Sequence, residues 1–181
     1  MNSVKLLIPL ASIAWLGLAA CADSASSRMT SQGEDDMTSE LTSAEREALG
    51  DALDDEYRAW ATYDQVIRDF GAVRPFINIR DAEARHIEAL VSLFERYGLK
   101  VPENTWPGRV PRYESVREAC EHAIEAEIEN AALYDRLMES TNRADIATVF
   151  ENLQQASQER HLPAFERCAS RGPGSGRGPN R

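Results

Sequence analysis

Three stretches of this chain carry apolar residues at alternating intervals of three and four, and each stripe is broken near its middle by an acid or an imidazole. The first runs Leu49, Leu53, Glu56, Trp60, Tyr63, Ile67, Phe70. The second runs Phe76, Ile79, Glu83, His86, Leu90, Leu93, Tyr97, and the third Cys120, Ile124, Glu127, Ala131, Tyr134, Met138. His161 holds the matching place in a fourth stretch. Such spacing lines one face of an amphipathic helix. A carboxylate inside a helical core is costly unless it is paired or bound to metal. The pattern therefore predicts an all-α four-helix bundle with an ion held among Glu56, Glu83, His86, Glu127 and His161.

Local signals place the helix ends. Thr42 and Glu45 form a capping-box pair, and Gly71 suits a C-terminal cap after Phe70. Pro75 is favourable as the first residue of a second helix that ends at Tyr97-Gly98. Ser115 and Glu118 repeat the box before a third helix that runs to about Ser140. Thr141 or Asn142 is expected to cap the fourth, which runs toward Cys168 and should kink at Pro163. Short turns make two antiparallel hairpins. The Pro/Gly-rich connection between them is long enough to cross the bundle from end to end.

The ends of the chain read differently. Lys5 followed by LLIPLASIAWLGLAA is a signal-peptide pattern over residues 1–20, and Leu18-Ala19-Ala20-Cys21 resembles a bacterial lipobox, with Cys21 the lipidated residue. An ordinary signal peptide with an incidental Cys is the alternative. Residues 21–41 are small, polar and acidic and are expected to form a disordered tether. The bundle then occupies 42–169, and 170–181 is a basic Gly/Pro tail. A formal net charge of -10 argues against a nucleic-acid partner, which needs a basic patch. The expected location is the bacterial cell envelope, facing the periplasm or exterior, with the membrane reached through the lipid.

The two hairpins resemble each other. DEYRAWATYDQVI (55–67) aligns without a gap with AEIENAALYDRLM (126–138), matching Glu56 to Glu127 and Tyr63 to Tyr134. AEARHIEAL (82–90) aligns with SQERHLPAF (157–165), matching His86 to His161. A duplicated hairpin sets equivalent ligands about a pseudo-twofold axis, as a two-metal centre requires. Glu83 and His86 form a Glu-x-x-His motif, whose spacing points both side chains to one face.

These features resemble the ferritin-like superfamily, in particular rubrerythrin-type carboxylate di-iron bundles. The resemblance rests on Glu56 with Tyr63, Glu83 with His86, Glu127 with Tyr134, and VFENLQ separated by six residues from His161, and covers roughly 43–168. It looks closest to an exported ferritin-like family known only as a domain of unknown function. It implies a one-crossover bundle with metal on Glu56, Glu83, His86, Glu127 and His161.

One departure matters. A second Glu-x-x-His would need Glu at 158, where Gln158 stands, with Ser157 before it; Glu159 should face away. The seam thus has three carboxylates and two imidazoles, which should weaken one of two metal positions and which a Glu at 158 would restore. Ser157, Gln158, Tyr63 and Tyr134 are the candidates to support the ligands from behind, although aromatic core packing is the commoner role of the tyrosines. Glu125 or Glu129 would replace Glu127 if the register slipped. Iron is the expected cofactor, as one or two ions, and manganese or zinc suits the same donors. No Cys-x-x-Cys pair is present, so an electron donor, if needed, is a separate molecule. A homodimer is compatible with this reading; a cage is not indicated.

The activity expected is oxidation of Fe(II) or reduction of peroxide. The rival is a non-catalytic metal-binding or structural module, which the missing fourth carboxylate favours.

With Cys21 lipidated, Cys120 and Cys168 remain, in an oxidising compartment. Cys120 lies seven residues before Glu127 and Cys168 seven after His161. An antiparallel pairing that sets the two ligands level therefore sets the two thiols level, and a disulfide is expected. Two buried free thiols, or thiols parted by the bend at Pro163, are the alternatives.

Overall fold

A computed structural model describes residues 40–171. The expected signal peptide, the expected lipidation site Cys21, most of the expected tether and most of the basic tail lie outside those residues. Among the described residues there is no strand, and the chain forms a helical bundle.

Helix α1 (Ser43–Phe70) begins with both halves of its capping box in place, and Gly71 ends it with φ 84°. Helix α2 (Phe76–Arg96) follows, with Pro75 at the N-cap. Helix α3 (Val116–Met138) starts at Ser115, whose Oγ accepts from Glu118 N. The reciprocal half of that box is missing, because Glu118 Oε2 accepts from Glu114 N instead. The fourth rod is composite: α4 (Ala144–Ala156), a π-helical turn (Ser157–His161) and α5 (Leu162–Ala169).

The start of α4 differs from the sequence expectation. Its N-cap is Arg143, which makes no side-chain cap bond. Thr141 is occupied elsewhere: its hydroxyl donates to Glu45 Oε1 at 3.0 Å and accepts from Arg143 N at 3.1 Å. The capping glutamate of α1 thus also anchors the third turn of the bundle, with Arg143 Nε donating to the same oxygen at 3.1 Å.

The irregularity expected at Pro163 falls just before it. Proline has no N–H to offer the preceding turn, and the wide turn over 157–161 is where that ladder is rearranged. The inward residues of the rod, Phe150, Leu153, Ser157, His161, Phe165 and Cys168, explain the need for it. Three successive steps of four would carry an α-helical stripe about 120° off line. The wider π turn absorbs that drift and keeps all six residues facing the core.

α1 packs along α2, α3 packs along the composite rod, and contacts of α1 with α3 and of α2 with α4 close the bundle. The core is in two parts. One holds Leu49, Leu53, Leu90, Leu93, Phe150 and Leu153. The other holds Tyr63, Phe76, Cys120, Ala123, Phe165 and Cys168, with the rings of Tyr63, Phe76 and Phe165 in mutual contact at 5.1–5.7 Å between centroids. Buried Glu56, Glu83, Glu127 and His161 lie on the helices between these two apolar parts. Cys120 and Cys168 are joined in a disulfide with Cα atoms 6.0 Å apart, tying α3 to α5. No helix among the described residues is long and apolar enough to cross a membrane.

Candidate metal centre

The stripes of the four rods bring Glu56, Glu83, His86, Glu127 and His161 together. Glu83 is the middle of the cluster. Its Oε2 lies 2.7 Å from His86 Nδ1 and its Oε1 lies 3.2 Å from His161 Nδ1. Each imidazole nitrogen then meets a second acid: His86 Nδ1 is 3.2 Å from Glu56 Oε2, and His161 Nδ1 is 3.5 Å from Glu127 Oε2. The order across the bundle is Glu56, His86, Glu83, His161, Glu127. It is symmetric about Glu83, and the two imidazole rings stack at 5.5 Å.

The outer oxygens of the flanking acids are held by phenols. Tyr134 donates to Glu56 Oε1 at 2.7 Å, and Tyr63 donates to Glu127 Oε1 at 2.7 Å. Each tyrosine serves the acid of the other hairpin. Within one helix the acid and tyrosine are seven residues apart, about 10 Å, too far to bond. Antiparallel packing of α1 against α3 makes both crosswise bonds in one register.

Ser157 and Gln158 part company. Ser157 Oγ donates to Glu127 Oε2 at 2.5 Å and to the Glu127 carbonyl at 3.1 Å. Gln158 is exposed and lends nothing to the cluster, because the π turn sets Ser157 and His161 on the inner face and carries 158–160 outward. The expectation that position 158 faces the centre is therefore corrected. Glu125, Glu129 and Glu159 are all exposed, so the register of Glu127 stands.

Burial raises the Glu56 carboxyl above its usual range, and the Glu83 charge adds to this. Burial acts on Glu83 in the same sense, but hydrogen bonds from His161 and His86 outweigh it and hold its carboxyl low. Burial would lower the imidazoles; the facing carboxylates win, pushing His86 up to about 9 and His161 up to about 10. Burial and then the neighbouring carboxylates keep Tyr63 and Tyr134 protonated well above the ordinary phenol range. Without metal, two imidazoliums thus sit among three acids.

The donor set fits a cation. Glu83, His86 and His161 each offer a ligand atom, all within 4.8 Å of one another. Adjacent ligands on one octahedral ion, each ~2.1 Å from it, lie about 3 Å apart, close to the 2.7 and 3.2 Å that separate Glu83 from His86 and from His161. Oxygen and nitrogen donors suit iron, manganese and zinc alike. Two cavities reach the cluster. One lies between α1 and α3; the other lies on the α2 and α5 side, where His86 and His161 meet Ile79, Ala82 and Ala164.

Sequence reasoning did not find Asp55 and Asn130, two further buried polar residues at this level. Asn130 Nδ2 donates to Asp55 Oδ2 at 2.8 Å, and Asp55 also pairs with Arg58. The available signal was position: Asn130 is one helical turn past Glu127, on the same face.

No protein-family model matches the chain, and no curated protein matches it significantly. Two solved structures are similar. A hypothetical protein from Methanococcus jannaschii is 23% identical with a TM-score of 0.65, covering 72% of this chain and 82% of its own. A conserved hypothetical protein from Mycobacterium tuberculosis is 17% identical with a TM-score of 0.63, covering 76% of this chain and 98% of its own. At these identities the likeness extends to the fold.

Proposed function

We propose that the chain is a ferritin-like metal-binding protein of the bacterial envelope, with a carboxylate–imidazole centre that oxidises Fe(II) or reduces peroxide. The observation that carries this is the Glu83 carboxylate set between two imidazoles, each backed by a further acid from a different helix. The long connection 97–115 between two helix pairs supports a ferritin-like crossover. The disulfide supports export, since such bonds persist in oxidising compartments. Lipidation at Cys21 would hold the protein to the membrane.

Glu83, His86 and His161 would hold the first ion, and Glu56 and Glu127 would bind from either side. A redox metal there supplies one-electron chemistry. The protein's part is to keep the donors fixed. Tyr134 and Tyr63 pin the outer oxygens of Glu56 and Glu127, so the inner oxygens point at the imidazoles. Ser157 steadies Glu127 a second time. The two apolar core layers flank the cluster along the bundle. With Cys120 and Cys168 in a disulfide, reducing equivalents come from a separate donor.

A second reading has a specific observation behind it. The five groups already satisfy one another as alternating acids and imidazoles, which suits a non-catalytic structural module. Elemental analysis of protein purified without chelator separates the two. Near-stoichiometric metal in the wild type, lost in Glu83→Ala and His86→Ala, supports the metal centre. Equal metal content in all three, or none in the wild type after loading with Fe(II), Mn(II) or Zn(II), favours the structural module.

A further inference from the structure

The cavity on the α2 and α5 side has a volume of about 530 Å³. Small residues on both rods, Ala82 on α2 and Ala156 and Ala164 on the fourth, leave it open, and His86 and His161 form part of its wall. The chain has 30 Asp and Glu against 20 Lys and Arg, yet no acid lines this cavity. The other charged groups that line it are Arg85 and Arg160.

These two arginines hold matched positions in the duplicated hairpin, each immediately before an imidazole of the cluster. The imidazole rings stack at 5.5 Å, which brings Arg85 of α2 and Arg160 of the π turn to one level of the bundle. Among the described residues neither guanidinium has an ion pair or hydrogen bond. Arg80, on the same helix as Arg85, instead pairs with Asp64 and with Asp81. Planar guanidinium forks match the paired oxygens of an oxyanion, each able to give two parallel N–H bonds. Two of them at one cavity, with no acid between, set a local field that attracts anions in a protein that is acidic elsewhere. Asn78 adds an amide donor, and Pro75 and Ile79 supply an apolar wall, where charges are less screened than in water.

We propose that this cavity binds an oxyanion of the phosphate class between Arg85 and Arg160, at the entrance to the imidazole side of the cluster. A role for that anion in the chemistry of the cluster rests on the metal-centre reading; its binding does not.

Inorganic phosphate is the probe. Titration calorimetry at fixed ionic strength, on protein as purified and after chelator treatment, is expected to show one saturable site in both. Arg85→Gln and Arg160→Gln, both at exposed positions, should each weaken binding at least about tenfold. Arg167→Gln, at an exposed position of α5 outside the cavity, should leave it unchanged. No saturable binding in the wild type overturns the proposal, as does undiminished binding in either cavity variant or an equal loss in Arg167→Gln. Binding confined to metal-loaded protein would put the phosphate on the metal and overturns it too. Phenyl phosphate separates the sources of the group. Tighter binding than inorganic phosphate assigns a monoester whose carbon group lies on Pro75 and Ile79; equal or weaker binding assigns free phosphate. Metal is measured on the same samples. Wild type that binds phosphate but takes no metal overturns the metal centre and keeps the anion site, and wild type that takes metal but binds no phosphate does the reverse.

Discussion

The Tyr63 hydroxyl on α1 reaches across the bundle to donate to Glu127 Oε1 on α3. Its counterpart, Tyr134 to Glu56, runs the opposite way at the same 2.7 Å. Each bond fixes which oxygen of a buried acid remains to face the imidazoles.

Removing either hydroxyl should therefore have a double effect. Tyr63→Phe leaves a buried carboxylate oxygen without its donor and should cost about 1–3 kcal/mol of stability. It should also weaken metal binding by about 10–100-fold, as loss of a group behind a ligand usually does. Tyr134→Phe should match it in both readouts. Denaturant melts and competitive metal titration check this; a stability loss with unchanged metal affinity would leave the tyrosines as packing residues only.

Positions 157 and 158 should behave oppositely. Ser157→Ala removes a donor to Glu127 and should lower metal affinity. Gln158→Glu, on an exposed position, should add no binding capacity. Stoichiometry from metal titration decides; a second ion gained by Gln158→Glu would mean the π turn gives way to an α turn in solution.

Acidity should act in opposite senses on the metal-free and metal-loaded protein. His86 and His161 have folded-state values of about 9 and about 10, above the ordinary 6.5. Their contribution to metal-free stability is thus full below pH 6.5 and is lost as pH rises through 9 to 10. Metal needs the imidazoles deprotonated, so its affinity should rise by up to about a hundredfold per pH unit between pH 7 and 9. Thermal melts with and without metal across this range should diverge upward. Parallel curves would show that the imidazoles are not ligands.

The disulfide closes a sequence separation of 48 residues. Its loss should cost about 4 kcal/mol by the chain-entropy account. Melting temperature before and after reduction, and in a Cys120→Ser, Cys168→Ser double variant, measures this.

Cys21→Ser should release the protein from membranes. Retention of that variant after a salt wash would mean another attachment.

Much of this arrangement was legible because helical periodicity reports phase. The seam acids stood out against Leu53 and Leu90, and the equal offsets of Cys120 and Cys168 from Glu127 and His161 carried the disulfide. What stayed hidden depends on contacts between helices. Thr141 does not cap α4 because Glu45, far away in sequence, takes its hydroxyl. The tyrosines pair crosswise because the partner helix is nearer than their own next turns. The π turn was written in the three successive steps of four from Leu153 to Phe165, a departure easily lost when only the stripe's average spacing is followed.

That turn makes the fourth rod sensitive to length as well as to composition. Drawing 157–161 into α geometry with every residue kept would swing everything beyond it by about 100°. Phe165 would leave the aromatic trio and Cys168 would turn from Cys120. The staple at the end of the chain and the imidazole in its middle are therefore in phase through one inserted residue, and formation of the 120–168 bond serves as a chemical readout that His161 has been delivered to the right side of its helix.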